Sequence, residues 1–317
     1  IDSRVDAGNG GQFMKIGFIF AGQGAQYVGM GKELYDHFPE AKAVYDQAYI
    51  DIDVKKVCFE GPEDILNETS YAQPCILTTS LAIAKVVEAH GIKPDYVAGL
   101  SLGEYSALAY ANAMSISDAV KIVRARGQIM SEALPAKTTS MAAVLAMEAK
   151  KIQEVIEDID GVTIANYNCP GQIAITGYKE AIEVASEKLK EAGAKRVIPL
   201  KVSGAFHSPL LEAASQKLKI ELGKYDLNVP EIPVVYNISG QEENGNLIDI
   251  LTKQIKSSVY FYQSLQYMIG QGVEAFIEIG PGKALSAFVK KTDRNIPVYS
   301  VDSIESLNKM LGALKDE

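Results

Sequence analysis

The fold of this chain is decided around one stretch, Gly99-Leu100-Ser101-Leu102-Gly103. A strand-like run over 95–98 precedes it, and a helix-like segment over 104–111 follows it. A serine on such a sharp strand-to-helix turn is lifted out of the sheet, and small flanking residues let the chain bend. The turn also brings backbone N–H groups near the atom that the hydroxyl would attack. The stretch therefore predicts a nucleophile elbow with Ser101 at its tip, the alternative being a plain strand–helix turn.

Strands and helices alternate on both sides of this turn. The apolar run 15–20 predicts a buried strand, and 71–90 predicts a helix with Pro74 in its first turn. A second helix is predicted over 115–134, and further strands over 233–237, 275–279 and 298–301. This alternation favours an α/β fold with a parallel sheet, similar to the α/β hydrolases, formed by residues 14–136 and 204–317.

The segment 137–203 follows a different pattern. Its predicted order is β-α-β-β-α-β, with strands at 141–146, 162–167, 172–176 and 196–202 and helices at 148–159 and 179–192. This order is typical of a ferredoxin-like unit. We therefore expect a small domain inserted into the larger one, as is tolerated where the ends of an insertion lie close together at the surface.

Composition excludes several function classes. Of the 317 residues, 47% are hydrophobic and 22% charged, and the net charge of −9 argues against a broad nucleic-acid surface. No apolar run is long enough to span a bilayer. The three cysteines and three histidines lack metal-ligand spacing, so we expect no metal and a reducing cytoplasm. Residues 1–13 are polar and Gly-rich, and we interpret them as an added, disordered leader before Met14.

A serine nucleophile needs a base, and three histidines are available. His90 lies at the end of a predicted helix, and His37 lies in a polar turn, so both have ordinary structural explanations. His207 follows the inserted unit, where the chain re-enters the large domain and can form a cleft wall. His207 is therefore the candidate base, with a satisfied loop histidine as the alternative.

One arginine lies on an apolar helix face. On a helical wheel of 115–134, Arg126 falls among apolar residues, whereas Arg124 falls on the polar face and is predicted to be solvated. A buried guanidinium needs a partner. That partner is either a protein carboxylate or the carboxylate of a substrate, for which the guanidinium fork is well suited. Separately, the Gly-rich loop around Gln23 can bring a backbone N–H to a ligand, although most such loops only turn.

Short motifs lie along the chain at 22–26, 73–74, 101–108, 126–127, 166–168, 170–172, 205–207 and 280–282. Through these motifs the chain resembles the malonyl-CoA:acyl carrier protein transacylases. They run in family order from Met14 almost to the C-terminus.

The resemblance implies a role for each matching position. Ser101 would carry the acyl group and His207 would be its base, as a dyad. The backbone N–H groups of Gln23 and Leu102 would form the oxyanion hole. Arg126 would bind the malonyl carboxylate, Phe206 matches the malonyl-selecting form of its motif, and Asn166 would shape the site.

The chain departs from the family pattern at two places. Leu100 replaces a histidine that usually precedes the nucleophile. Residues 257–260 replace an Asn-Pro-Val-Gln motif whose glutamine carbonyl orients the histidine. A backbone carbonyl survives substitution, so Tyr260 is expected to take this role.

The resemblance implies a cytoplasmic, monomeric enzyme that moves malonyl from a coenzyme A thioester to acyl carrier protein, without a cofactor, for fatty-acid synthesis. The alternatives are a polyketide-type acyltransferase, a serine thioesterase or esterase, and a catalytically idle docking module. Because such carriers are acidic, docking would need local basic residues. The candidates are Lys188, Lys190, Lys195, Arg196, Lys283, Lys290 and Lys291, with solvated helix faces as the alternative.

Overall fold

A computed structural model describes residues 6–9, 12–202 and 204–315. The strands are β1 (Asp6–Asn9), β2 (Gln12–Phe13), β3 (Ile16–Phe20), β4 (Tyr96–Gly99), β5 (Thr139–Leu145), β6 (Val162–Cys169), β7 (Gln172–Tyr178), β8 (Arg196–Pro199), β9 (Val234–Val235), β10 (Ala275–Ile279) and β11 (Val298–Val301). The helices are α1 (Lys32–His37), α2 (Pro39–Gln47), α3 (Val54–Glu60), α4 (Glu63–Leu66), α5 (Thr69–Ala89), α6 (Leu102–Tyr110), α7 (Ile116–Glu132), α8 (Ala149–Ile156), α9 (Lys179–Glu191), α10 (Glu212–Leu222), α11 (Leu247–Gln254), α12 (Phe261–Gly270), α13 (Ala284–Thr292) and α14 (Ile304–Lys315).

Five parallel strands form the large sheet, in the order β11-β10-β3-β4-β9. Every residue of β3 and β10 is buried, as expected for central strands with helices on both faces. Residues of α5, α6 and α7 share one core with Phe18 and Phe20, and residues of α12 and α13 share another with Ile19 and Phe276. The predicted α/β fold with a parallel sheet is confirmed.

A second, antiparallel sheet has the order β6-β7-β5-β8. Buried residues of α8 and α9 share its own apolar core, including Ile152, Ile182 and Leu189. The chain order β5-α8-β6-β7-α9-β8 is the predicted ferredoxin-like order. The exact domain boundaries at 137 and 203 stay a prediction.

The edge of the small sheet touches the large domain. Tyr167 N donates to the Val259 carbonyl at 2.9 Å, and Val259 N donates to the Ala165 carbonyl at 2.7 Å. The Tyr167 and Tyr260 rings stack with centroids 4.9 Å apart. These contacts hold Asn166, which lies between the paired residues of β6, beside the elbow.

The prediction that Pro74 lies in the first turn of its helix is wrong, because α5 begins earlier, at Thr69. A proline inside a helix has no N–H for the carbonyl four residues before it, here that of Ser70. In this structure Arg124 Nη1 donates to the Ser70 carbonyl at 2.7 Å. A side chain from α7 therefore replaces the hydrogen bond that Pro74 cannot make.

The expected disorder of residues 1–13 is not found at the residues described there. Strands β1 and β2 pair antiparallel, which satisfies backbone groups of both segments. Residues 1–5 and 10–11, like Ser203 and 316–317, lie outside the described residues. That the segment is an added leader stays a prediction.

Candidate active site

The predicted elbow lies between β4 and α6. Ser101 has φ 54° and ψ −106°, a conformation that costs on the order of 1–3 kcal/mol and persists only where the surroundings impose it. A Cβ atom on Gly99 would collide with the Gly103 backbone, and one on Gly103 would collide with the Phe20 carbonyl. The glycines therefore let α6 start directly against the sheet, with the serine at the turn.

Ser101 and His207 meet, although they are 106 residues apart in the chain. The Ser101 Oγ and His207 Nε2 atoms are 2.7 Å apart, and His207 Nδ1 lies 3.0 Å from the Gln254 carbonyl. A carbonyl can only accept, so Nδ1 carries the proton. Nε2 is then the free acceptor, and the Ser101 hydroxyl donates to it. This is the geometry that general-base activation of a serine requires.

His207 is neutral at physiological pH. Burial and then the nearby Arg126 charge lower its pKa to about 4. A neutral imidazole can take the serine proton, whereas an imidazolium cannot.

The prediction that the Tyr260 carbonyl orients the histidine is wrong. That carbonyl accepts from Ser264 N at 3.0 Å and from Ser264 Oγ at 2.8 Å, while Gln254 supplies the carbonyl at His207. Ser264 lies one turn into α12, so the helix that begins after Tyr260 uses this carbonyl itself.

Sequence reasoning missed Gln254, although a signal was present. On α11, Gln254 follows Ile250 by four residues and Leu251 by three, so the three side chains share one face, and all are buried. A polar side chain on an apolar face is the pattern that also identified Arg126.

Arg126 is fully buried, as predicted. Its Nη1 donates to Gln73 Oε1 at 2.9 Å, and its Nη2 donates to Gln254 Oε1 at 3.0 Å and to Ser101 Oγ at 3.3 Å. Its guanidinium carbon lies 5.0 Å from the centroid of the Tyr105 ring. Burial lowers its pKa.

No protein carboxylate pairs with Arg126 within the described ranges, and its buried Nε atom has no hydrogen-bond partner there. Glu104 lies close enough to interact electrostatically, but burial raises its pKa to about 8, so it is mostly neutral at pH 7. Of the two partners that the sequence allows, a protein carboxylate is therefore not found among the residues that the structure describes. The guanidinium keeps its charge beside the nucleophile.

Arg124 is not the solvated charge that the helical wheel predicted. It is 9% exposed, and its Nε and Nη2 atoms donate to the two Asp51 oxygens, each at 2.9 Å. It also lies over the Tyr71 ring at 4.8 Å. The wheel places residues relative to one helix and cannot include the chain before α3, which covers this side of α7.

Gln23 and Leu102 both lie at the carboxyl edge of the sheet, after the adjacent strands β3 and β4. A Cβ atom on Gly22 would overlap the Leu100 carbonyl, so glycine lets the first loop approach the elbow. Among the described residues, no acceptor is found for the backbone N–H of Gln23 or of Leu102. The two donors are thus available for a ligand, as an oxyanion hole needs.

Ser101 opens into a cleft of about 450 Å³ between the two sheets. Phe206 and Asn166, both predicted to contact substrate, line it, as does Leu100, the residue at the family's usual histidine position. Phe206 is 5% exposed and Asn166 is 9% exposed. One wall is contributed by the large domain and the other by residues of β5, β6 and β7 and by residues 200–202.

The described residues contain neither a metal-ligand cluster nor a membrane-spanning helix. No cluster of three or more His, Cys, Asp or Glu residues suited to a metal ion is found in the described part of the chain. None of its described helices combines the length and apolar composition needed to cross a membrane.

Comparison with known proteins agrees with this geometry. The family model described as "Acyl transferase domain" matches residues 17–315. The malonyl CoA-acyl carrier protein transacylase of Bacillus subtilis is 45% identical over 311 residues, which cover 96% of this chain and 98% of that protein. The crystal structure of the transacylase of the same name from Clostridium perfringens is 45% identical, with a TM-score of 0.93 over 95% of this chain and 98% of that one.

A solved complex of a type II PKS acyl-carrier protein with its malonyl-transacylase is also similar. Its match has 33% identity and a TM-score of 0.91, and covers 96% of this chain and 100% of that one. The long, ordered matches and the shared fold together establish that this chain belongs to the acyl transferase domain family, among the malonyl CoA-acyl carrier protein transacylases.

Proposed function

We propose that this protein transfers a malonyl group from malonyl-CoA to the phosphopantetheine thiol of acyl carrier protein, through a malonyl ester on Ser101. One observation carries the proposal: the Ser101–His207 pair lies beside a buried arginine without a carboxylate partner among the described residues. A malonyl group brings both the carbonyl that the serine attacks and the carboxylate that the arginine lacks.

In the first half-reaction, Ser101 Oγ attacks the thioester carbonyl while its proton passes to His207 Nε2. The N–H groups of Gln23 and Leu102 hold the negative oxygen of the tetrahedral intermediate. When the C–S bond breaks, His207 returns the proton to the sulfur of the leaving coenzyme A. Arg126 holds the far carboxylate, and Phe206 and Asn166 bound the space around the acyl group.

The second half-reaction reverses these steps with a different thiol. The carrier thiol gives its proton to His207, its sulfur attacks the ester carbonyl, and Ser101 Oγ leaves with the returned proton. Exchange between esters and thioesters transfers no electrons to a redox carrier, and the protons come from Ser101 or the carrier thiol and pass through His207. We therefore propose that no cofactor takes part.

The basic residues proposed to dock the carrier are all exposed and lie on two parts of the molecule. Lys188, Lys190, Lys195 and Arg196 belong to the small domain, and Lys283, Lys290 and Lys291 to the large one. Cationic groups of this kind complement an acidic carrier. We further propose a monomer that acts in the cytoplasm.

Fatty-acid synthesis is the pathway we propose. A specific likeness favours a second candidate: the similar solved complex holds a type II PKS acyl-carrier protein. Parallel transfer assays with a fatty-acid and a polyketide carrier separate the two, because the cognate carrier should have the lower Michaelis constant.

Intact-protein mass spectrometry tests the chemistry. Mixing with malonyl-CoA should add one malonyl group to the protein but not to Ser101→Ala, and holo acyl carrier protein should then remove it. An adduct that disappears at the same rate with and without carrier would instead identify a hydrolase.

A further inference from the structure

We infer that Asn237 is a positioning residue. It holds Ser101 and Gln254, whose carbonyl orients His207, in one rigid unit. Asn237 lies two residues after β9, the edge strand beside β4, and is fully buried. No sequence motif pointed to it. Because it acts here in the acyl transfer proposed above, its role rests on that function.

Within the described ranges, the Asn237 side chain makes three hydrogen bonds, and all of them reach the elbow or Gln254. Its Oδ1 accepts from Ser101 N at 2.9 Å and from Gln254 Nε2 at 3.2 Å. Its Nδ2 donates to the Gly99 carbonyl at 2.6 Å. Two donors face the oxygen and one acceptor faces the nitrogen, so the chemistry fixes the orientation of the amide.

Gln254 connects the Asn237 hydrogen bonds to His207. Its Nε2 also donates to the Ser101 carbonyl at 2.9 Å, and its own carbonyl accepts from His207 Nδ1 at 3.0 Å. The backbone N–H and C=O of Ser101 are thus both held by the Asn237–Gln254 pair. One buried amide therefore sets the nucleophile and the base relative to each other.

The strained backbone of Ser101 explains why such a holder is needed. A left-handed φ at a non-glycine residue is kept only when the surroundings impose it. His207 likewise has a positive φ, 54°. Without the Asn237 amide, relaxation of the turn would move Oγ away from Nε2, and a shift of about 1 Å can cost roughly 100-fold in rate.

The test compares Asn237→Leu and the isosteric Asn237→Asp with the natural protein in two reactions. One is malonyl loading of Ser101, followed by mass. The other is labelling by phenylmethylsulfonyl fluoride, in which a Ser101 Oγ–S bond forms, fluoride leaves and the serine proton is released. This labelling needs neither malonyl nor carrier, so it still tests Asn237 should the natural protein fail to take up malonyl.

We expect Asn237→Leu to lower both maximal rates by about 100-fold, with the Michaelis constant for malonyl-CoA changing less than about threefold. Asn237→Asp keeps the acceptor for Ser101 N and Gln254 and should recover part of the rate. Thr79→Val is the matched control, since Thr79 is also fully buried and contacts the Tyr45 hydroxyl at 2.7 Å. It should lower thermal stability with both rates unchanged.

A double variant tests the path through Gln254. Rate losses of Asn237→Leu and Gln254→Ala should combine to less than their product, because both remove the same restraint. The inference is overturned by natural rates in folded Asn237→Leu or Asn237→Asp, or by losses that multiply fully. Should Asn237→Leu not fold, Asn237→Asp alone decides between these outcomes.

Discussion

Two arginines on one helix, Arg124 and Arg126, are used in opposite ways. Arg124 is neutralised by both oxygens of Asp51 and satisfies the Ser70 carbonyl. Among the described residues, Arg126 donates hydrogen bonds only to neutral groups, the Gln73 and Gln254 amides and the Ser101 hydroxyl. A buried cation whose charge is compensated within the protein contributes to structure, and one held by neutral groups keeps its charge for a ligand.

Replacing each arginine in turn tests this contrast, and the largest effect is expected for Arg126. Arg126→Ala should reduce malonyl loading by roughly 100- to 10,000-fold, since the two charge-assisted hydrogen bonds proposed to the malonyl carboxylate disappear, each of about 1.5–3 kcal/mol. Loading by acetyl-CoA should change much less. The measurement is the rate of adduct formation by intact mass. Unchanged preference for malonyl over acetyl would contradict the clamp.

The reverse pattern is expected for Arg124→Ala. Its free energy of unfolding in urea should fall by about 1–2 kcal/mol, mainly because the Ser70 carbonyl loses its donor. The ion pair itself adds little, since the Asp51 side chain is 60% exposed. Malonyl loading should remain within about threefold of the natural rate. A loading defect as large as that of Arg126→Ala would end the distinction between the two residues.

The pH dependence of Ser101 labelling by phenylmethylsulfonyl fluoride should also distinguish Arg126 from Arg124. His207 acts as a base only when neutral, so the labelling rate should fall as the pH drops through its pKa of about 4. Arg126 is one cause of that low pKa, so Arg126→Met should move this acid limb to higher pH. Arg124→Ala serves as the control and should leave the limb in place. If the acid limb of the profile stays in place in Arg126→Met, the Arg126 charge does not lower the pKa of His207.

The smallest effect expected concerns Pro74. In Pro74→Ala, the new N–H can donate to the Ser70 carbonyl within α5. Adding Arg124→Ala should then cost about 0.5–1 kcal/mol less than in the natural background. Urea unfolding of the four proteins of this cycle measures the difference. Strict additivity would mean that Arg124 does not replace the missing helix hydrogen bond.

The sequence alone determined the α/β fold, the elbow and the burial of Arg126. Each of these follows from local spacing: the turn from two glycines around Ser101, and the burial from an apolar face of α7. The inserted β-α-β-β-α-β order could also be predicted from the sequence, because apolar side chains repeat with different periods in strands and in helices.

Only the tertiary structure decided which further groups hold the predicted Ser101–His207 pair and which partners the two arginines have. Gln254 rather than Tyr260 faces His207, and Asn237 joins Gln254 to Ser101, through contacts 47, 17 and 136 residues apart in the chain. Arg124 is buried by a segment that no pattern within its own helix reveals. Local periodicity fixes which face of an element is apolar, but the partner of a buried polar group depends on how distant elements pack.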